Sequence, residues 1–232
     1  MPSELHLDFE TRSACDLKKA GLYVYAEHPT TEVSLISWAF DSEEENSLFF
    51  NPHRFEELRA HVAAGGKVVA QNAAFERIIW NSILHKRFGW PKMQIEQCRC
   101  TMAQSYAMAI PGSLEKAAPA LGIDQEKDMK GQRVMMKLSK PKKVLEDGSI
   151  VWHSDSALYD RLREYGKQDV VVERLVDKRQ LKLSPDEQRL WCLDQKINDR
   201  GIKIDIISAH NAIALVEKEK EQQIKLTAAR AN

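Results

Sequence analysis

The chain has 232 residues, room for one large domain or one domain with an appendage, and its 43% apolar and 29% charged residues are an ordinary globular mix. Lys plus Arg equals Asp plus Glu at 34 each, so no overall basic charge advertises nucleic acid, and any such site must be local. None of the four cysteines (Cys15, Cys98, Cys100, Cys192) sits at zinc-knuckle spacing, residues 1–4 lack a basic leader, and no run reaches the roughly 18 apolar residues of a membrane span, so a reduced, cytoplasmic protein without membrane partners is expected.

Residues 5–10 alternate apolar and polar side chains and predict a strand, followed by strands over 33–40 and 47–50. A helix over 53–64 ends at Gly65-Gly66, and Lys67 to Ala70 forms a short strand. Asn72 is placed to cap a helix over 73–88, closed by Gly89 and Pro91. A helix over 99–108 stops at Pro111-Gly112, and Ser113 caps another over 114–121. Residues 124–154, polar and Lys-rich, read as a long loop with one short helix and an Asp147-Gly148 turn. Ser154 or Asp155 caps a long helix over 156–182. Further helices are predicted over 185–199 and from Ser208 to the end, separated by Arg200-Gly201 and an extended 202–204. Strands first, then mixed elements, then helices alone predict one α/β domain over 1–182 and a helical appendage over 183–232.

Three pairs of residues carry chemistry. Asp8 and Glu10 lie two apart on a strand, so both carboxylates leave one face and form a hard-oxygen site suited to Mg2+ or Mn2+. A solvated strand end has the same pattern. Asn72 and Glu76 share a helical face with Phe75 between them, which is also what a cap and a first-turn acid look like. Tyr165 and Asp169 lie four apart in mid-helix, where an aspartate is locally unfavourable and asks for a reason.

In this order, D-x-E, N-x-x-x-E and Y-x-x-x-D resemble the proofreading exonucleases called DEDDy. The stretches DFETRS (8–13), LKKAGLYVYAEHPTTEV (17–33), AQNAAFERIIW (70–80), SLEKAAPALGI (113–123), KLSKPKK (137–143) and YGKQDVVVE (165–173) are similar to the exonuclease part of bacteriophage-type family A DNA polymerases. LSPDEQRLWCLDQKINDRGIKID (183–205) resembles their passage into the polymerase thumb. No later polymerase motif follows, so the chain is expected to degrade DNA and not to synthesise it. One departure is Glu76, where the family usually carries Asp.

The resemblance implies a ribonuclease H-like fold, a mixed sheet flanked by helices. It implies hydrolysis of the 3′-terminal phosphodiester of single-stranded DNA with two divalent metal ions, Mg2+ or Mn2+. Asp8, Glu10, Glu76 and Asp169 would hold the ions, Tyr165 would orient the attacking water, and Thr11, Asn72 and Phe75 would position the terminal nucleotide. The basic residues of 126–143 (Lys127, Lys130, Arg133, Lys137, Lys140, Lys142, Lys143) outnumber Glu126 and Asp128 and offer phosphate contacts, of which Lys137, Lys140, Lys142 and Lys143 lie in a family-like stretch. The missing polymerase domain or other replisome proteins are the implied partners. Two other readings stay open: an RNA-trimming exonuclease resembling ribonuclease D, and an inactive nuclease fold that binds DNA or scaffolds a replisome.

Overall fold

The computed structural model describes residues 3–41, 43–124 and 128–231. Glu126 and Lys127 of the basic stretch lie outside the described residues. The chain divides into two compact units, Met1–Gln195 and Lys196–Asn232.

The first unit opens with β1 (Glu4–Arg12), α1 (Leu17–Ala20), α2 (Leu22–Glu27), β2 (Glu32–Phe40), β3 (Asn46–Phe49), α3 (Glu56–Ala63) and β4 (Lys67–Ala70). Helix α4 (Ala73–Ile79) continues through a π-helical turn (Trp80–His85) into α5 (Lys86–Phe88). Then come β5 (Cys98–Cys100), α6 (Thr101–Ala107), α7 (Leu114–Ala120), α8 (Met129–Leu138), the small hairpin of β6 (Lys143–Val144) and β7 (Ile150–Val151), and the 24-residue α9 (Ser156–Arg179). Helix α10 (Pro185–Arg200) crosses the unit boundary, and α11 (Ile206–Ala231) belongs to the second unit. Among the described residues no helix is long and apolar enough to cross a membrane.

The five-stranded sheet has the order β3-β2-β1-β4-β5. β1 is central, antiparallel to β2 and parallel to β4, which is itself parallel to β5. The fold is therefore α/β with a mixed sheet, as predicted. The strict alternation of β1 sorts its side chains to two environments. Leu5, Leu7 and Phe9 enter the main core with Trp38, Phe55, Leu58, Ile79, Trp80 and Trp90, each of which contributes on the order of 2–3 kcal/mol through burial. His6, Asp8 and Glu10 take the other face, which α9 covers.

Three local readings change in three dimensions. Cys98–Cys100 is a strand that docks beside β4, whereas residues from 99 were expected to be helical. A three-residue strand has too few residues to show a period, and its pairing with β4 is a long-range decision. The stretch 124–154 holds a ten-residue helix, α8, as well as the β6–β7 hairpin, which turns at Asp147-Gly148. Ser113 makes no side-chain cap bond, whereas Asp155 does cap α9 by accepting from the Ala157 amide (3.0 Å).

The second unit is one 26-residue helix and its lead-in. Burial is described as far as residue 229, and from 196 to there no residue is buried.

Candidate active site

The face of β1 opposite the main core carries Glu4, His6, Asp8 and Glu10, and one stripe of α9 carries Tyr165, Asp169, Glu173 and Asp177 at intervals of four. Two strand residues advance about 6.6 Å and four helix residues about 6 Å, so the two polar rows stay in step as α9 runs against β1. At the far end Arg99 binds both Glu4 and Asp177 (2.7 Å to Asp177 Oδ1), and Lys182 Nζ reaches Asp177 Oδ2 at 2.6 Å. One step along, His6 Nδ1 donates to Glu173 Oε2 at 2.6 Å, both side chains buried. At the next step the side chains are Asp8 and Asp169, and the compensating cations give way to carboxylates.

Asp8, Glu10 and Asp169 offer oxygen atoms that all lie within 4.8 Å of one another, so this acidic group is able to hold a metal ion. Glu76 joins them from the first turn of α4; it is 4% exposed, and its Oε2 is buried without a hydrogen-bond partner, as is Asp8 Oδ2. Oxygens of this kind suit a hard cation and are costly without one. The electrostatics agree. Burial, with the charges of Asp169 and Glu173, pushes the Asp8 carboxyl up to about 8. Burial, then Asp8, Asp169 and Glu76, raises Glu10, and burial with the charges of Asp8 and Glu173 raises Glu76. A β-bulge between Glu10 and Thr11 bends the strand just past the pair.

Asp8, Glu10, Tyr165, Asp169, Glu76, Phe75, Asn72, Thr11 and Lys140 all line one cleft of about 790 Å3. Three segments distant in sequence thus converge on one cleft. Tyr165 is 4% exposed and hydrogen-bonded to Asp169; burial first and the Asp169 charge second raise its phenol, which stays protonated. Thr11 Oγ1 shares a hydrogen bond with Tyr25 OH at 2.8 Å. Phe75 is half-buried, packed on the main core while one side faces the cleft. Asn72 differs from expectation. It precedes α4 in the left-handed region (φ 61°, ψ 54°) and makes no side-chain cap bond, because an N-cap side chain needs extended backbone to reach the helix amides. Asn72 instead lines the cleft. Of the four lysines expected at DNA, Lys140 lines the cleft, whereas Lys137 on α8 and Lys142 and Lys143 at the hairpin are exposed outside its lining.

No family model matches the chain. A DNA polymerase of Bacillus phage SP02 is 35% identical to it over an alignment of 225 residues, with 92% of this chain and 34% of the polymerase covered. The chain is similar to one part of a phage DNA polymerase. It spans about a third of that relative's length, and the likeness supports a polymerase-related domain of phage type.

Several site residues carry no motif in the sequence. Lys18, Met135 and Met136 line the cleft beside the predicted residues, the methionines brought there by α8. Gly131 lets α8 lie on Tyr165, because a β-carbon there would stand 2.6 Å from Tyr165 Cδ2. A glycine inside a helix costs about 1 kcal/mol relative to alanine, and that cost was the available signal. The His6–Glu173 pair had none, since neither residue shows its partner until strand and helix pack.

Proposed function

We propose that this chain is the 3′→5′ proofreading exonuclease part of a family A, phage-type DNA polymerase, with a ribonuclease H-like core that hydrolyses the 3′-terminal phosphodiester of DNA. The observation that carries this reading is the convergence of Asp8, Glu10, Glu76, Tyr165 and Asp169 on one cleft floor with buried, unpartnered carboxylate oxygens. The sheet order, with its antiparallel β2 beside the central strand, is compatible with that fold.

Asp8, Glu10 and Asp169 would hold one divalent ion, and Asp8 with Glu76 a second. Two such ions, Mg2+ or Mn2+, supply Lewis acidity for water activation and for the departing 3′ oxygen. Tyr165 orients the attacking water through its hydroxyl, which Asp169 holds; its raised phenol makes it a poor base. The extra methylene of Glu76 relative to Asp extends its carboxylate by about 1 Å, a displacement the first turn of α4 must absorb. Phe75 offers a face for stacking the terminal base, and Asn72 and Thr11 hold the terminal nucleotide by hydrogen bonds. Lys140 at the cleft neutralises backbone phosphate without sequence preference.

The test is digestion of a 5′-labelled DNA oligonucleotide with Mg2+ or Mn2+. Stepwise shortening from the 3′ end, with release of nucleoside monophosphates and resistance of a 3′-blocked strand, is expected. Intact DNA with folded protein and metal present refutes the reading. Preference for an RNA strand of the same sequence would point to the ribonuclease alternative.

A further inference from the structure

Glu173 plays no part in the motif that supports the exonuclease reading, yet it belongs to the same row of α9 as Tyr165 and Asp169. It lies one turn behind Asp169, as His6 lies one strand step behind Asp8. Glu173 is 4% exposed. His6 Nδ1 occupies Oε2 at 2.6 Å, whereas Oε1 is buried without a hydrogen-bond partner. The same is true of Oε2 of Glu76, which lines the cleft. A lone carboxylate anchored by one histidine would be read as a strut between strand and helix. A strut satisfies both oxygens, because an unpaired buried carboxylate oxygen is costly. A strut also has no need of a place one helical turn from Asp169, a member of the acidic group that is able to hold a metal ion.

We propose, building on the exonuclease reading, that Glu173 is an outer carboxylate of the divalent-cation site, oriented by His6 and raising the affinity of the Asp8–Glu76 side for its ion. The role is that of a positioning residue: it adds negative charge behind the direct ligands without itself touching the ion. Groups of this kind change metal affinity by roughly 10- to 100-fold when altered. His6 is suited to the anchoring because it donates to one oxygen and leaves the other without a hydrogen bond. Gly131, Leu35 and Leu162 pack α9 around Tyr165, two turns from Glu173 on the same row.

The experiment is a titration of the full chain with Mn2+, followed by electron paramagnetic resonance of the free ion and by calorimetry. Glu173→Gln keeps the shape and still accepts from His6, but removes the charge. Mn2+ affinity is expected to fall at least about 10-fold, with circular dichroism unchanged. A folded Glu173→Gln protein with wild-type Mn2+ affinity overturns the proposal. Should that variant not fold, His6→Asn is measured in its place; a several-fold weaker Mn2+ affinity is expected, and an unchanged one overturns the proposal equally. DNA digestion by the wild type is assayed in parallel. Wild-type protein that binds Mn2+ and leaves DNA intact counts against the exonuclease reading alone, whereas digestion by the wild type with unaltered Mn2+ binding by Glu173→Gln counts against the role of Glu173 alone.

Discussion

Gly166 of α9 lies directly against Ser37 of β2: a β-carbon at 166 would overlap the Ser37 hydroxyl and stand 3.0 Å from Leu35 Cδ2. Ser37 is fully buried and held by Ser47 Oγ at 2.9 Å, so it cannot swing aside. The close approach seats α9 on the sheet, and with it the neighbours of Gly166, Tyr165 and Asp169. Alanine at 166 would gain about 1 kcal/mol in helix propensity and lose roughly 1–3 kcal/mol to overpacking. Gly166→Ala is therefore expected to lower the melting temperature and slow DNA cleavage, with partial recovery in the double variant with Ser37→Ala. Wild-type stability and rate in Gly166→Ala would remove the close-packing argument.

On the exonuclease reading, loss of any proposed ligand should be decisive. Asp8→Ala and Asp169→Ala are each expected to bring cleavage to background while the proteins remain folded, because a two-metal site does not survive loss of a carboxylate. Tyr165→Phe should keep Mn2+ binding and slow turnover on the order of 100-fold, as expected when the attacking water loses its alignment. Cleavage at the wild-type rate by Asp8→Ala would place the chemistry elsewhere.

The raised carboxylates make a pH prediction for the metal-free protein. Asp8 titrates near 4 when unfolded and at about 8 when folded, and Glu10 and Glu76 are raised as well. Between those values the folded state binds more protons than the unfolded one, so stability is lost as pH rises from about 4 towards about 8. In EDTA the melting temperature should fall from pH 5 to pH 8. Mg2+ or Mn2+ should restore it most at pH 8, where protons no longer compete for the oxygens. Asp8→Asn should flatten the slope; a slope unchanged by that substitution would assign it to other groups.

Protease should find the boundary between the units. Helix α10 is held to the first unit through Gln188, which donates to the Cys98 carbonyl at 3.1 Å, through buried Cys192, and through Trp191 on the main core. The residues from 196 to 229 bury nothing, so they offer cleavable backbone. Limited digestion is expected to leave a core ending between about residue 195 and 200 that still degrades DNA. A stable, active core ending near residue 182 would show that α10 is dispensable.

Read alone, the sequence determined the alternation of β1 and the helical spacing of Tyr165–Asp169, whereas the grouping of Asp8, Glu10, Glu76, Tyr165 and Asp169 into one site was implied by the family resemblance. The alternation and the spacing are local periodicities, and a strand or helix period places side chains on a face wherever the element ends up. The sequence also narrowed the cap of α9 to Ser154 or Asp155 and marked Asp147-Gly148 as a turn, both of which depend on a few neighbouring atoms. Only the tertiary structure decided that Cys98–Cys100 pairs with β4, that Asn72 abandons its cap for the cleft, and that Gly131 and Gly166 let helices close on Tyr165 and Ser37. It alone decided that His6 meets Glu173 across 167 positions of chain. Such relations depend on which surfaces pack together, and the in-step advance of strand and helix that creates the polar row exists only once α9 lies along β1.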